Sequence, residues 1–230
     1  MRRALAYAVA ASVLLAASAN ANDEYVDFTL PGGAVITCEV LTPAGYEAGR
    51  AYPTLLAFPP GAQDLEMVDA GLAWWEYEAL RRGYVVISPA APRGVSFRSG
   101  SRDLIDPLVQ MLVAKYPVAG GKLDLAGVSN GGVSAFAAAL DHPERFRSLT
   151  VLAGAPPSAT ELANIGRLDG IAVNMFIGEF DPGFRESMEQ TRDAFTAHGH
   201  AIHYEVVRNS GHSIFVLQGP GAARVFDRMQ

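Results

Sequence analysis

The chain has 230 residues, half of them hydrophobic, and a formal net charge of −6 from 18 basic and 24 acidic side chains. That length and composition suit one globular domain with a sizeable core. The acidic balance, with no cluster of lysine or arginine, weighs against nucleic acid or an anionic membrane as partner.

The N-terminus reads MRRALAYAVAASVLLAASANA: two arginines, an apolar run from Ala4 to Ala17, and small residues ending in Ala19-Asn20-Ala21. These are the three regions of a cleaved secretory signal peptide. The apolar run falls short of the ~20 residues that span a bilayer. Residues 1–21 are therefore expected to be removed on export, secreted or periplasmic, leaving residues 22–230 as a single domain. No later stretch is long and apolar enough to span a membrane.

Strand-like runs then alternate with helix-like ones, the mark of a mostly parallel sheet in a doubly wound α/β protein. EYVDFTL and AVITCEV, separated by Pro31-Gly32-Gly33, predict an antiparallel hairpin. Cys38, the only cysteine, sits in its second strand, where a buried thiol is expected and no internal disulfide can form. YPTLLAFP predicts a buried strand and DAGLAWWEYEALRRG a helix ending at Gly83, with at least one of Trp74 and Trp75 in the core.

YVVISP, RDLIDPLVQMLVAKY and KLDLAGVS continue as strand, helix and strand. LTVLAG and IAVNMFIG are strands separated by too few residues for a large helical lid. GFRESMEQTRDAFTAHG predicts a helix with Phe184, Met188 and Phe195 on one face; AIHYEVV is a strand, and a last helix falls within the C-terminal stretch from His212.

The segment GVSNG, Gly127 to Gly131, fits G-x-S-x-G, a strand-to-helix turn that exposes a serine hydroxyl at the sheet edge. KLDLA before it and VSAFAAAL after it supply the strand and helix the pattern needs. A serine hydroxyl requires a general base, and the base an acid that fixes its tautomer. In this architecture the order along the chain is serine, acid, histidine. Asp181 follows one later strand and His212 the next, so the constellation is Ser129, Asp181 and His212. Asp181, just before Pro182, also suits a helix N-cap, and Glu179 is the second choice of acid.

The oxyanion of an acyl-transfer intermediate needs two backbone N–H donors. Asn130 follows the serine and is expected to act through its backbone N–H alone. Its partner lies in AFPPGAQD, where Pro59 and Pro60 have no N–H, leaving Gly61 or, preferred, Ala62. His198, His200 and His203 raise a metal hypothesis, but they straddle a helix end, a glycine and a strand start. Neither a metal nor a cofactor is expected.

GVSNGG, preceded by YPVAGGKLDLAG, resembles the α/β-hydrolase superfamily over almost the whole chain beyond residue 21. It is similar to secreted esterases grouped with polyhydroxybutyrate depolymerases and feruloyl esterases, and to small carboxylesterases of the dienelactone-hydrolase and phospholipase/carboxylesterase type. The resemblance implies about eight mostly parallel strands, helices on both faces and a minimal lid. It implies Ser129 as nucleophile, His212 as base then acid, Asp181 as orienter, and Ala62 and Asn130 as oxyanion donors. Relatives usually carry His-Gly where this chain has Pro60-Gly61.

The expected activity is cleavage of a small-molecule or polymeric carboxylic ester. The alternatives are a serine peptidase of the prolyl-oligopeptidase-like type and an inactive binding protein on the same scaffold. An open cleft is expected between QDLEMVD and PRGVSFRSGS. Oligomeric state is not encoded in any feature of the sequence.

Overall fold

The computed structural model describes residues 22–229, so the expected signal peptide, residues 1–21, lies outside the described residues. The opening hairpin forms as expected: β1 (Asn22–Thr29) and β2 (Val35–Thr42) pair antiparallel, with Val26 opposite Cys38. Next come β3 (Thr54–Phe58), β4 (Val85–Pro89), β5 (Leu123–Val128), β6 (Phe146–Leu152), β7 (Ala172–Gly178) and β8 (His203–Val207). The sheet order is β1-β2-β4-β3-β5-β6-β7-β8; β2 joins β4 antiparallel, and every later pairing is parallel.

The strands β3, β4 and β5 are buried along their whole length. Burial on both faces follows from crossover helices on both sides, which is why these strands read as continuous apolar runs. Alternation sends Leu56 and Phe58 to one core and Leu55 and Ala57 to the other. The first core is closed by α3 (Ile105–Lys115), α4 (Asn130–Asp141) and α6 (Arg185–Ala197), through residues such as Leu108, Phe136 and Phe195. The second is closed by α1 (Leu65–Leu72), α2 (Glu76–Arg81) and the short α7 (Ala223–Phe226). Each fully buried Leu or Phe contributes roughly 1.5–3 kcal/mol relative to exposure.

Two local expectations change. The helix expected from Asp69 to Gly83 is two helices, α1 starting earlier on its cap Asp64, with a break at Ala73–Trp75. Adjacent side chains on one helix diverge by about 100°, so a continuous helix would not bury both indoles against one sheet. The break reorients the chain, and Trp74 and Trp75 are both core.

The expected C-terminal helix is two 3₁₀ turns, Phe215–Leu217 and Gly219–Ala222, followed by α7. Gly219-Pro220-Gly221 interrupts it, since proline has no N–H and a side chain at Gly221 would meet the carbonyl of Val216. Between β6 and β7 lie only α5 (Ala159–Ala163) and a 3₁₀ turn, Ile165–Leu168, which fits a minimal lid. No helix among the described residues is long and apolar enough to cross a membrane.

Candidate active site

The strand β5 ends at Val128 and α4 begins at Asn130, so Ser129 alone makes the turn, at φ 55° and ψ −121°. A positive φ at a non-glycine residue is strained. Here it is held by the Ser129 N–H donating to Leu152 O (2.9 Å) and by Ser129 O accepting from Val133 N–H (3.1 Å). The flanking glycines are steric requirements: a Cβ on Gly127 would lie 2.2 Å from Gly131 O, and one on Gly131 would lie 2.1 Å from Phe58 O. The turn therefore presents the serine hydroxyl beyond the C-terminal edge of the parallel strands, at the positive end of α4.

Asp181 and His212 reach this hydroxyl from the loops after β7 and β8. His212 Nε2 lies 2.8 Å from Ser129 Oγ, and His212 Nδ1 lies 2.8 Å from Asp181 Oδ2. An ionised carboxylate only accepts, so Nδ1–H donates to it and Nε2 is left to accept from the serine O–H. Asp181 is only 2% exposed. Its second oxygen, Oδ1, accepts from the N–H groups of Gly183 (2.9 Å) and Phe184 (3.2 Å). The capping and orienting roles are thus complementary, one oxygen for each. Strictly, Asp181 holds the turn before α6, whose N-cap position is Phe184. Glu179 turns away, accepting from Asn209 N–H at 2.8 Å.

The imidazole is also fixed from its face and from its loop. Phe184 stacks on it with ring centroids 5.5 Å apart and planes 13° from parallel, so Phe184 serves this site as well as the helix face. Trp74 donates its indole N–H to Ile214 O (3.3 Å), pinning the chain just after the histidine. The acid and histidine loops touch through Gly178, where a Cβ would lie 2.1 Å from Gly211 O.

Across the serine, the loop after β3 carries two left-handed residues, Gly61 (φ 59°) and Gln63 (φ 61°). The Ala62 N–H between them donates to no backbone carbonyl, and the Asn130 N–H, first in its helix, has no intrahelical acceptor. Gln63 is fully buried. Its Nε2 donates to Pro59 O (3.1 Å) and Ser134 Oγ (3.0 Å), while its Oε1 accepts from Phe97 N–H (2.8 Å). The Asn130 side chain also engages this loop, Nδ2 donating to Gly61 O at 2.9 Å, so its interactions extend beyond the backbone. A cleft of about 900 Å³ opens beside Ala62, walled by the two expected loops and including Arg93 and Arg98.

The remaining candidates go elsewhere. His200 faces Ile171 O and Asp169, His203 faces Glu205, and His198 packs against Gly166. Cys38 is buried, which together with the charge of Asp27 pushes its thiol pKa up, away from thiolate chemistry. Gln63, Gly178, Phe184 and Trp74 are site-building residues that pattern reading did not single out as such.

A strained serine between strand and helix, an acid and a histidine after successive later strands, and a sheet of this order define an α/β-hydrolase. A family model described as “Putative esterase” matches residues 68–229, and the chain belongs to that family. No curated protein matches it. Among solved structures, a thermostable esterase is 17% identical with a TM-score of 0.69, over 90% of this chain and 60% of that one. The S-formylglutathione hydrolase of Staphylococcus aureus is 14% identical with a TM-score of 0.70, over 91% and 99% of the two chains. Dipeptidyl peptidase 4 of Porphyromonas gingivalis is 15% identical with a TM-score of 0.70, over 90% of this chain and 34% of that one. The chain thus spans less than two thirds of that esterase and about a third of the peptidase, and the likeness to all three is one of fold.

Proposed function

We propose that the protein is an exported serine esterase that cleaves carboxylic esters through an acyl-enzyme on Ser129, using only its own side chains and backbone. Ser129 Oγ attacks the ester carbonyl carbon while His212 Nε2 takes its proton, and Asp181 stabilises the imidazolium. The tetrahedral oxyanion is received by the N–H groups of Asn130 and Ala62. Collapse expels the alcohol, protonated by His212, and water activated by the same imidazole then releases the acid. The observation that carries this reading is the continuous hydrogen-bonded series Ser129–His212–Asp181, with 2.8 Å at both links. The cleft beside Ala62 is assigned to one arm of the ester; its lining includes that donor residue but neither Ser129 nor His212, and the segment between β6 and β7 is too short to add a large lid.

The test is a panel of p-nitrophenyl esters of varied acyl length and aromatic acids, run beside aminoacyl p-nitroanilides. Esters should turn over and anilides should not, and Ser129→Ala should lower kcat/KM by about 10⁴-fold or more and abolish fluorophosphonate labelling. Faster cleavage of the anilides would make the protein a peptidase. A wild-type protein that resists the fluorophosphonate would point to an inactive binding protein. Export is checked by N-terminal sequencing of the secreted product, expected to begin at Asn22.

A further inference from the structure

Two backbone donors serve the oxyanion in the scheme above, and they come from opposite sides of the serine. The Asn130 N–H is fixed by α4. The Ala62 N–H belongs to a loop whose backbone at Gly61 is in the left-handed region, where glycine has wide freedom. What holds the peptide between Gly61 and Ala62 is therefore a question about the catalytic geometry itself.

We propose that the side-chain amide of Asn130 is a positioning residue for the oxyanion site, holding the Gly61 carbonyl so that the Ala62 N–H on the same peptide keeps its direction. This rests on Ser129 being the nucleophile. The peptide is trans, and in a planar trans peptide the C=O and N–H point to opposite sides, so fixing one fixes the other. The 2.9 Å bond from Asn130 Nδ2 is the one hydrogen bond that Gly61 O accepts among the described residues.

The neighbouring peptide groups are held by other means. Gln63 N–H donates to Pro60 O at 3.1 Å, Gln63 O accepts from Ala91 N–H at 2.7 Å, and the Gln63 side chain donates to Pro59 O. The loop is thus clamped on both sides of the Gly61–Ala62 peptide, and that peptide itself is clamped only by Asn130. A hydrogen bond onto its carbonyl also polarises the amide, which makes the Ala62 N–H a stronger donor. The residue that supplies one oxyanion donor by its backbone thereby sets the other with its side chain, and the two move together with the serine turn.

An amide suits this position chemically. It donates to a carbonyl without bringing charge beside the place where the oxyanion develops. An aspartate of the same shape would set a carboxylate against the Gly61 carbonyl and against the developing negative charge.

The experiment compares Asn130→Ala, Asn130→Asp and Asn130→Ser with wild type on a p-nitrophenyl ester and on the matching thionoester. Sulfur is a poor hydrogen-bond acceptor, so a thionoester draws little from oxyanion donors. Removing a direct oxyanion donor costs about 10²–10³ in kcat; acting through the peptide, Asn130→Ala and Asn130→Ser should lose roughly 10–50-fold in kcat with little change in KM. Asn130→Asp should lose more, and thionoester turnover should hold within about threefold. Melting temperatures near wild type show that each variant folds, and a variant that does not fold leaves the other two to decide.

Wild-type kcat on the oxo-ester in all folded variants, or equal losses on both esters, would overturn the assignment. A Ser129→Ala arm in the same assay separates that result from failure of the underlying reading. An active Ser129→Ala protein removes the nucleophile, whereas an inactive one beside fully active Asn130 variants removes only this inference.

Discussion

The two sides of Ser129 are held by different physics. On the histidine side the parts are charged or aromatic: a buried carboxylate, an imidazole, a stacked phenyl ring and an indole pinning the loop. On the oxyanion side the groups beside the serine are neutral amides: two N–H groups, a buried glutamine and an asparagine reaching across. In the proposed mechanism the first side moves a proton and changes the charge on the imidazole, a task suited by a fixed negative charge next to it. The second, in the same mechanism, meets a charge that appears only in transit, a task suited by dipoles oriented in advance. The second side is correspondingly dense in left-handed backbone, with Ser129 and Gln63, both non-glycine, and Gly61 all at positive φ.

Exchanging charge for dipole on the histidine side should have the largest effect. Asp181→Asn keeps an oxygen to accept from Gly183 and Phe184 but presents an NH₂ group to His212 Nδ1, favouring the wrong tautomer. Activity should fall about 10⁴-fold with melting temperature little changed. Near-normal activity with stability alone reduced would leave Asp181 as a turn-former only.

Removing the buried amide on the other side should act mainly on stability. Gln63→Met strips partners from Phe97 N–H, Pro59 O and Ser134 Oγ, costing about 2–4 kcal/mol in chemical denaturation, with a smaller loss of kcat than Asp181→Asn. A variant as stable as wild type would mean that the loop is held by its backbone.

The smallest effect lies outside the hydrogen-bonded series on either side, at Glu39 on β2. Burial first, then the negative charge of Asp23, pushes Glu39 from its ordinary 4.5 up to about 7. Asp69 on α1 adds to this, and a hydrogen bond from Tyr25 on β1 opposes it. A carboxyl raised in the folded state contributes stability fully below its unfolded value and loses it as pH rises through the folded one. Glu39→Gln should therefore flatten the decline in melting temperature between about pH 5 and 7 while leaving turnover unchanged. An unchanged slope would place the titration elsewhere.

The positions of Ser129 and His212 and the succession of strands along the chain were legible because each rests on local rules: a glycine pair that the turn demands, and loops that follow recognisable strands. Both roles of Asp181 were legible as alternatives, but their coexistence was not, since the two carboxylate oxygens differ only by what the fold brings to each. Gln63 and the Asn130 side chain were illegible for a related reason. Their partners lie on separate segments, 34 residues away at Phe97 and 69 at Gly61, and hydrogen bonds at that separation leave no periodicity in a sequence. The broken helix at Trp74–Trp75 was missed because the periodic pattern continues through it, and tertiary burial of both indoles decides the geometry.

That break has an optical consequence. The chain has two tryptophans, and Trp74 alone bonds to the histidine loop and stacks near Phe215, at 6.1 Å between centroids. Trp75 lies almost wholly shielded, 1% exposed, inside the second core. Intrinsic fluorescence thus carries a built-in pair, a sensor against the loop and a sheltered reference beside it. A Trp75→Phe protein would report loop displacement during acylation as an emission change from a single native indole, without any attached dye.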